Sequence, residues 1–100
     1  MAQTPEARVK AIIKKILKSH GIYYSMPIGN GFGNSGVPDF LCSVPPHGKF
    51  LAIEAKAGGG KTTALQDKNL KEIELTGGYP LVVNEYRFEM LEEVIESLKR

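Results

Sequence analysis

One hundred residues with 42% hydrophobic and 24% charged side chains fit a single globular domain, residues 1–100, with room for one hydrophobic core. No apolar run approaches the ~20 residues needed to span a bilayer, so no membrane role is expected. The lone cysteine, Cys42, has no internal disulfide partner and suits a reducing cytoplasm. The net charge of +2 hides an asymmetry: residues 85–100 carry three Lys/Arg against five Asp/Glu, while the basic excess lies earlier.

Thr4-Pro5-Glu6 opens the first predicted helix, with Thr as cap, Pro in the first turn and an acid at the positive end of the dipole. Val9, Ile12, Ile13, Ile16 and Leu17 recur at helical spacing, and Gly21 ends the run. Arg8, Lys10, Lys14, Lys15 and Lys18 stud this helix. Such a face suits a polyanion, Lys10 and Lys14 being the candidates for DNA contact, and is equally what a solvated helix looks like. "IYYSMPI" (22–28) reads as a strand and "GNGFGNSG" (29–36) as a loop. "PDFLCSV" (38–44) and "KFLAIEAK" (49–56) form a hairpin about the turn "PPHG". Thr63 and Gln66 match a capping box that starts a second helix, closed by Gly77-Gly78. "YPLVV" (79–83) is a fourth strand, and Phe88, Leu91, Ile95 and Leu98 mark a last amphipathic helix. The order is α-β-β-β-α-β-α.

Several motifs are present only in part. Gly60-Lys61-Thr62 ends like a phosphate-binding loop, but Ala55 stands where its first glycine belongs and no strand ending in a magnesium-holding Asp follows. Residues 31–36 spell G-x-G-x-x-G, yet a Pro-led strand follows instead of a helix. Gly21-Ile22-Tyr23 is half of a GIY-YIG signature without its partner, and His20 and His47 lack zinc-ligand spacing.

One constellation survives. A hairpin turning symmetrically about 45–48 sets Val44 opposite Lys49 and, continued inward, Asp39 opposite Glu54. Directly opposed carboxylates repel, and Lys56, two residues beyond Glu54, shares their face. A divalent cation explains such a grouping, because Mg²⁺ takes one or two carboxylates plus phosphate oxygens and lowers the barrier to phosphoryl chemistry. The bland alternative is a surface ion pair worth roughly 0–1 kcal/mol, and a β-bulge would shift the register by one.

The run Gly36-Val37-Pro38-Asp39, then Glu54-Ala55-Lys56, within this element order resembles the PD-(D/E)xK nuclease superfamily, and more narrowly the stand-alone virus-type replication-repair nuclease (VRR-NUC) domains. Lys61, Thr63, Gln66, Gly77-Gly78 and "YPLVV" correspond to the loop, Gln-bearing helix, Gly-Gly turn and apolar strand that follow in that family. The resemblance implies a restriction-endonuclease-like α/β (α+β) fold with a central mixed sheet of about four strands. It implies Mg²⁺ or Mn²⁺ held by Asp39, Glu54 and the Ala55 carbonyl, with Lys56 as catalytic lysine. It also makes Glu6 a candidate metal ligand, beside its reading as a dipole-favoured helix start. Gln66 is a candidate catalytic-site residue beside its capping role, and one Gln can do both.

Lys61, Asn34 and Ser35 are candidates for phosphate contact, on loops expected to be flexible. The expected activity is metal-dependent cleavage of DNA phosphodiester bonds by a homodimer preferring four-way (Holliday) or otherwise branched DNA, as stand-alone members resemble junction resolvases. A nicking or flap endonuclease and a non-catalytic nucleic-acid-binding module are the rival readings. By family analogy the setting is a bacterial or phage-infected cytoplasm.

Overall fold

A side-chain cap and a proline start the first helix. In the computed structural model, which describes residues 3–28 and 35–100, Thr4 Oγ1 accepts from Ala7 N at 3.1 Å and Pro5 takes the first turn. The elements are α1 (Pro5–Ser19), β1 (Tyr23–Ser25), β2 (Phe40–Val44), β3 (Lys49–Ala55), α2 (Ala64–Leu75), β4 (Tyr79–Val83) and α3 (Phe88–Leu98). This is the expected order. The strands form one mixed sheet, β1-β2-β3-β4, with β1/β2 and β2/β3 antiparallel and β3/β4 parallel. Among the described residues no helix is long and apolar enough to cross a membrane.

The hairpin register is the expected one. Val44 pairs with Lys49 and the ladder runs to Phe40 opposite Ile53, so no bulge intervenes. Strand β2 begins one residue after Asp39, which leaves Asp39 at the mouth of the ladder beside Glu54 and Ala55. Strand β1 is shorter than the 22–28 reading, spanning only Tyr23–Ser25. Pro27 offers no N–H to extend the ladder, and Ser25 is already paired with Leu41 near the start of β2.

Alternation divides the sheet into two faces. One carries Phe40, Cys42, Val44, Leu51, Ile53, Ala55 and Val83, and it packs against Val9, Ile13 and Leu17 of α1 and Leu91, Val94 and Ile95 of α3 in a single buried cluster. Each fully buried Val, Leu, Ile or Phe here contributes roughly 1.5–3 kcal/mol relative to exposure. The Cys42 thiol lies in this layer, and burial pushes its pKa up to about 12, far from thiolate chemistry.

The other face carries Ala52 and Glu54 and is covered by α2. That helix has no fully buried residue, so apolar burial alone does not place it. Two glycines let it come close. Gly36 adopts φ +81°, and a Cβ there would lie 2.6 Å from the carbonyl carbon of Leu65 and 2.9 Å from the Gln66 nitrogen. At the far end, a Cβ on Gly78 would meet Ile73 Cγ2 at 2.7 Å and Phe50 Cδ2 at 2.8 Å. The Asn69 amide adds a bond to the Ser35 carbonyl at 3.0 Å. The capping box is complete: Gln66 N donates to Thr63 Oγ1 and Thr63 N to Gln66 Oε1.

Gly36→Ala therefore imposes both a left-handed backbone on a β-carbon and a clash with helix backbone that cannot rotate away. Urea unfolding is expected to show a loss of roughly 2–3 kcal/mol; a loss under 0.5 kcal/mol would contradict the close approach of α2.

Candidate active site

Strand direction brings the chemistry-bearing residues to one end of the sheet. Asp39 precedes β2 while Lys56 follows the antiparallel β3, so both stand at the same edge, together with the end of β4. Backbone bonds hold this corner: Lys56 N donates to Val83 O at 2.9 Å, and Ala55 N donates to Asp39 Oδ2 at 2.8 Å. The second bond orients the Asp39 carboxylate across the end of the ladder.

Glu54 lies inside. It is 3% exposed, the only buried charged side chain among the described residues. Its Oε2 accepts from Gln66 Nε2 at 3.2 Å, while Oε1 is buried with no hydrogen-bond partner. Gln66 spends its oxygen on the Thr63 cap and its amide nitrogen on Glu54. A buried acceptor without a donor costs on the order of 1–3 kcal/mol, more for a charged group.

Burial pushes the Glu54 carboxyl up to about 8, and the neighbouring Asp39 adds to the rise; Lys56 pulls the other way and Glu6 raises it further. Two ionised carboxylates side by side repel, and a proton on Glu54 relieves that repulsion. The alternative to that proton is a cation.

Lys10 of α1 enters the same corner. Its Nζ lies 3.6 Å from Glu6 Oε2 and 3.4 Å from Asp39 Oδ1. Burial works against its charge, but Asp39 and Glu6 outweigh that and leave its pKa raised. Glu6, half-buried in the first turn of α1, is thus turned to Lys10 and acts on Glu54 through space. Among the described residues no three His, Cys, Asp or Glu side chains are gathered at metal-ligand spacing; the acids that meet are Asp39 and Glu54. Two carboxylates joined by a strand carbonyl are a donor set of the kind a hard divalent ion accepts, with water and substrate oxygens completing the shell.

The remaining candidates lie around the rim. Lys61, Lys14 and Ser35 are exposed, and Asn34 lies outside the described residues. The loop after Lys56, read from its glycines as flexible, is tied at both ends. Gly58 N donates to both Glu85 carboxylate oxygens at 2.9 and 3.0 Å, Thr62 Oγ1 bonds Asp67, and Thr63 joins the capping box. Sequence reasoning missed Glu85 and the Lys10–Asp39 contact. The spacing of Glu6 and Lys10, one helical turn apart, was the available signal for Lys10; for Glu85 no local pattern pointed to Gly58.

No protein-family model matches the chain, and no curated protein does. Solved structures do. One described as a VRR_NUC domain is 25% identical, covers 94% of this chain and 97% of its own, and superposes with a TM-score of 0.76.

The chain folds as a VRR-NUC domain.

A second structure, described as a VRR_NUC domain protein, shares the fold at 17% identity and a TM-score of 0.66, with 97% of this chain and 89% of its own covered. The mixed four-stranded sheet and its helices are those of a nuclease-like VRR-NUC domain, and the paired acids and Lys56 occupy the sheet end of that domain in this chain.

The raised Glu54 pKa makes a prediction about the metal-free protein. Between about pH 4.5 and 8 the unfolded chain ionises Glu54 while the folded chain keeps its proton. Stability from this group is therefore full at low pH and declines as pH rises, by at most about 1.4 kcal/mol per pH unit. In EDTA, Glu54→Gln should flatten that decline and be the more stable protein at pH 8, read from urea midpoints at pH 5 and 8. Parallel pH profiles for the two proteins would contradict the burial of an ionisable group here.

Proposed function

We propose that this VRR-NUC domain is a metal-dependent DNA endonuclease that hydrolyses phosphodiester bonds. The observation that carries the reading is the buried Glu54 oxygen without a donor, beside the Asp39 carboxyl held by the Ala55 amide. Asp39, Glu54 and the Ala55 carbonyl would hold Mg²⁺ or Mn²⁺, with Glu6 a further carboxylate nearby. When bound, the ion polarises the phosphoryl group and neutralises charge that develops on its oxygens.

The rest falls to the chain's own groups. The Ala55 amide fixes Asp39, and Gln66 holds Glu54 by one oxygen so that the other stays available. Lys56, kept in register by its bond to Val83, orients the attacking water and stabilises the pentacoordinate charge. Lys61 and Ser35 on the loops and Lys14 on α1 make phosphate contacts, as would Asn34; such contacts position a duplex without reading its bases. Recognition by shape and phosphate pattern suits branched DNA, and a two-fold homodimer would bring two such sites to a four-way junction.

The test sets a labelled four-way junction beside a matched linear duplex, with Mg²⁺, Mn²⁺ or EDTA. The expected result is paired cuts in the junction, absent in EDTA and reduced at least about 100-fold in Lys56→Ala, as for loss of a transition-state charge contact. Equal cutting of both substrates would remove the junction preference and leave the nuclease. Binding without cutting under every metal would replace the nuclease by a nucleic-acid-binding module.

A further inference from the structure

Lys10 holds a position that an ordinary helix-surface lysine does not. Its partner one turn back, Glu6, is the kind of neighbour that surface helices often supply for a few tenths of a kcal/mol. Asp39 is different, because it comes from the sheet. One Asp39 oxygen, Oδ2, is taken by the Ala55 amide at 2.8 Å, and the other, Oδ1, faces the Lys10 ammonium at 3.4 Å. A cation arriving at Asp39 therefore meets an oxygen already hydrogen-bonded and an oxygen already facing a positive charge. Glu6 is turned to the same ammonium at 3.6 Å, which leaves Asp39 and Glu54 as the acids that meet.

Counted as ionised, the acids of this corner outnumber its ammonium groups by one even with Lys10 in place. Glu6 and Asp39 face the Lys10 ammonium, Glu54 lies beside Asp39, and Lys56 favours the ionised form of Glu54. A divalent ion would take that count from −1 to +1, and departure of one ammonium would restore neutrality. Of the two ammonium groups, Lys10 is the one that directly faces the free Asp39 oxygen, at 3.4 Å. Lys10 reaches in from a separate element on a flexible four-carbon stem, so it is the one that can leave.

We propose that Lys10 is the resident counter-ion of the resting site, competing with the divalent ion for Asp39 and Glu6. This rests on the cation site argued under Proposed function, and it adds a residue that sets how much free metal the domain needs before it loads. Removing the ammonium tightens metal binding, whereas a lysine that only supported DNA contact or helix solubility would leave it unchanged.

The test measures Mn²⁺ binding to metal-free protein, by loss of the free-ion electron paramagnetic resonance signal and by isothermal titration, without DNA. Lys10→Met is expected to tighten Mn²⁺ by at least about fivefold, the scale of one removed charge contact. Lys10→Gln should follow it, Lys10→Arg should not tighten, and Lys15→Met, which removes an equal charge from the exposed face of α1, should stay within about twofold. Binding to Lys10→Met and Lys10→Gln equal to or weaker than wild type overturns the role of Lys10 and leaves the cation site standing. Absence of Mn²⁺ binding in wild type and variants alike overturns the cation site itself, and the proposal with it.

Discussion

A carboxylic acid buried at the end of a β-strand, with one oxygen satisfied and the other not, is the constraint around which this molecule is arranged. Glu54 is 3% exposed and lies next to a second carboxyl, a placement that burial and charge both oppose. The fold tolerates it through a small number of bonds that could not be exchanged without moving whole elements. The Gln66 amide satisfies one oxygen, the Ala55 amide holds the neighbouring acid, and Lys10 and Lys56 supply positive charge from two directions. A purely structural protein would be more stable with Gln at position 54. The acid's use as a cation ligand is the reading proposed above.

The supporting shell follows from that need. Helix α2 buries no side chain fully, yet its first turn must stand over Glu54 for Gln66 to reach it. Gly36 makes the approach possible by having no Cβ to collide with the helix backbone, and the capping box orients Gln66 on arrival. The glycine of the Gly-Val-Pro-Asp run and Gln66 are thus two halves of one contact. On the other flank, Glu85 takes the Gly58 amide and fixes where the chain turns after Lys56. The apolar layer of α1 and α3 beneath the sheet anchors β3, so the polar corner is built on the most deeply buried strand.

Much of this was legible in the chain alone because it depends on local periodicity and on counting. The turn at 45–48 set the hairpin register, the register placed Asp39 beside Glu54, and Thr63 with Gln66 announced the start of α2. The 22–28 reading overran because a run of apolar residues does not reveal where its ladder partner begins. What stayed hidden depends on distances between elements remote in sequence. Lys10 reads as one of several lysines on a solvated helix until α1 is laid across the sheet end, and Glu85 reads as a turn residue until β4 carries it to Gly58. In the glycine loop at 57–60 composition suggested freedom and gave no sign that Glu85 would hold the Gly58 amide.

The most direct test of the central claim is where a divalent ion sits. Crystals grown with Mn²⁺ and measured at a wavelength that excites its anomalous scattering should show a peak bridging Asp39 and Glu54, within about 2.0–2.6 Å of carboxylate oxygens. A peak there, lost in Glu54→Gln, would confirm that the unsatisfied oxygen is a ligand. A site fully loaded with Mn²⁺ elsewhere, or no peak with Glu54 still bonded only to Gln66, would contradict it.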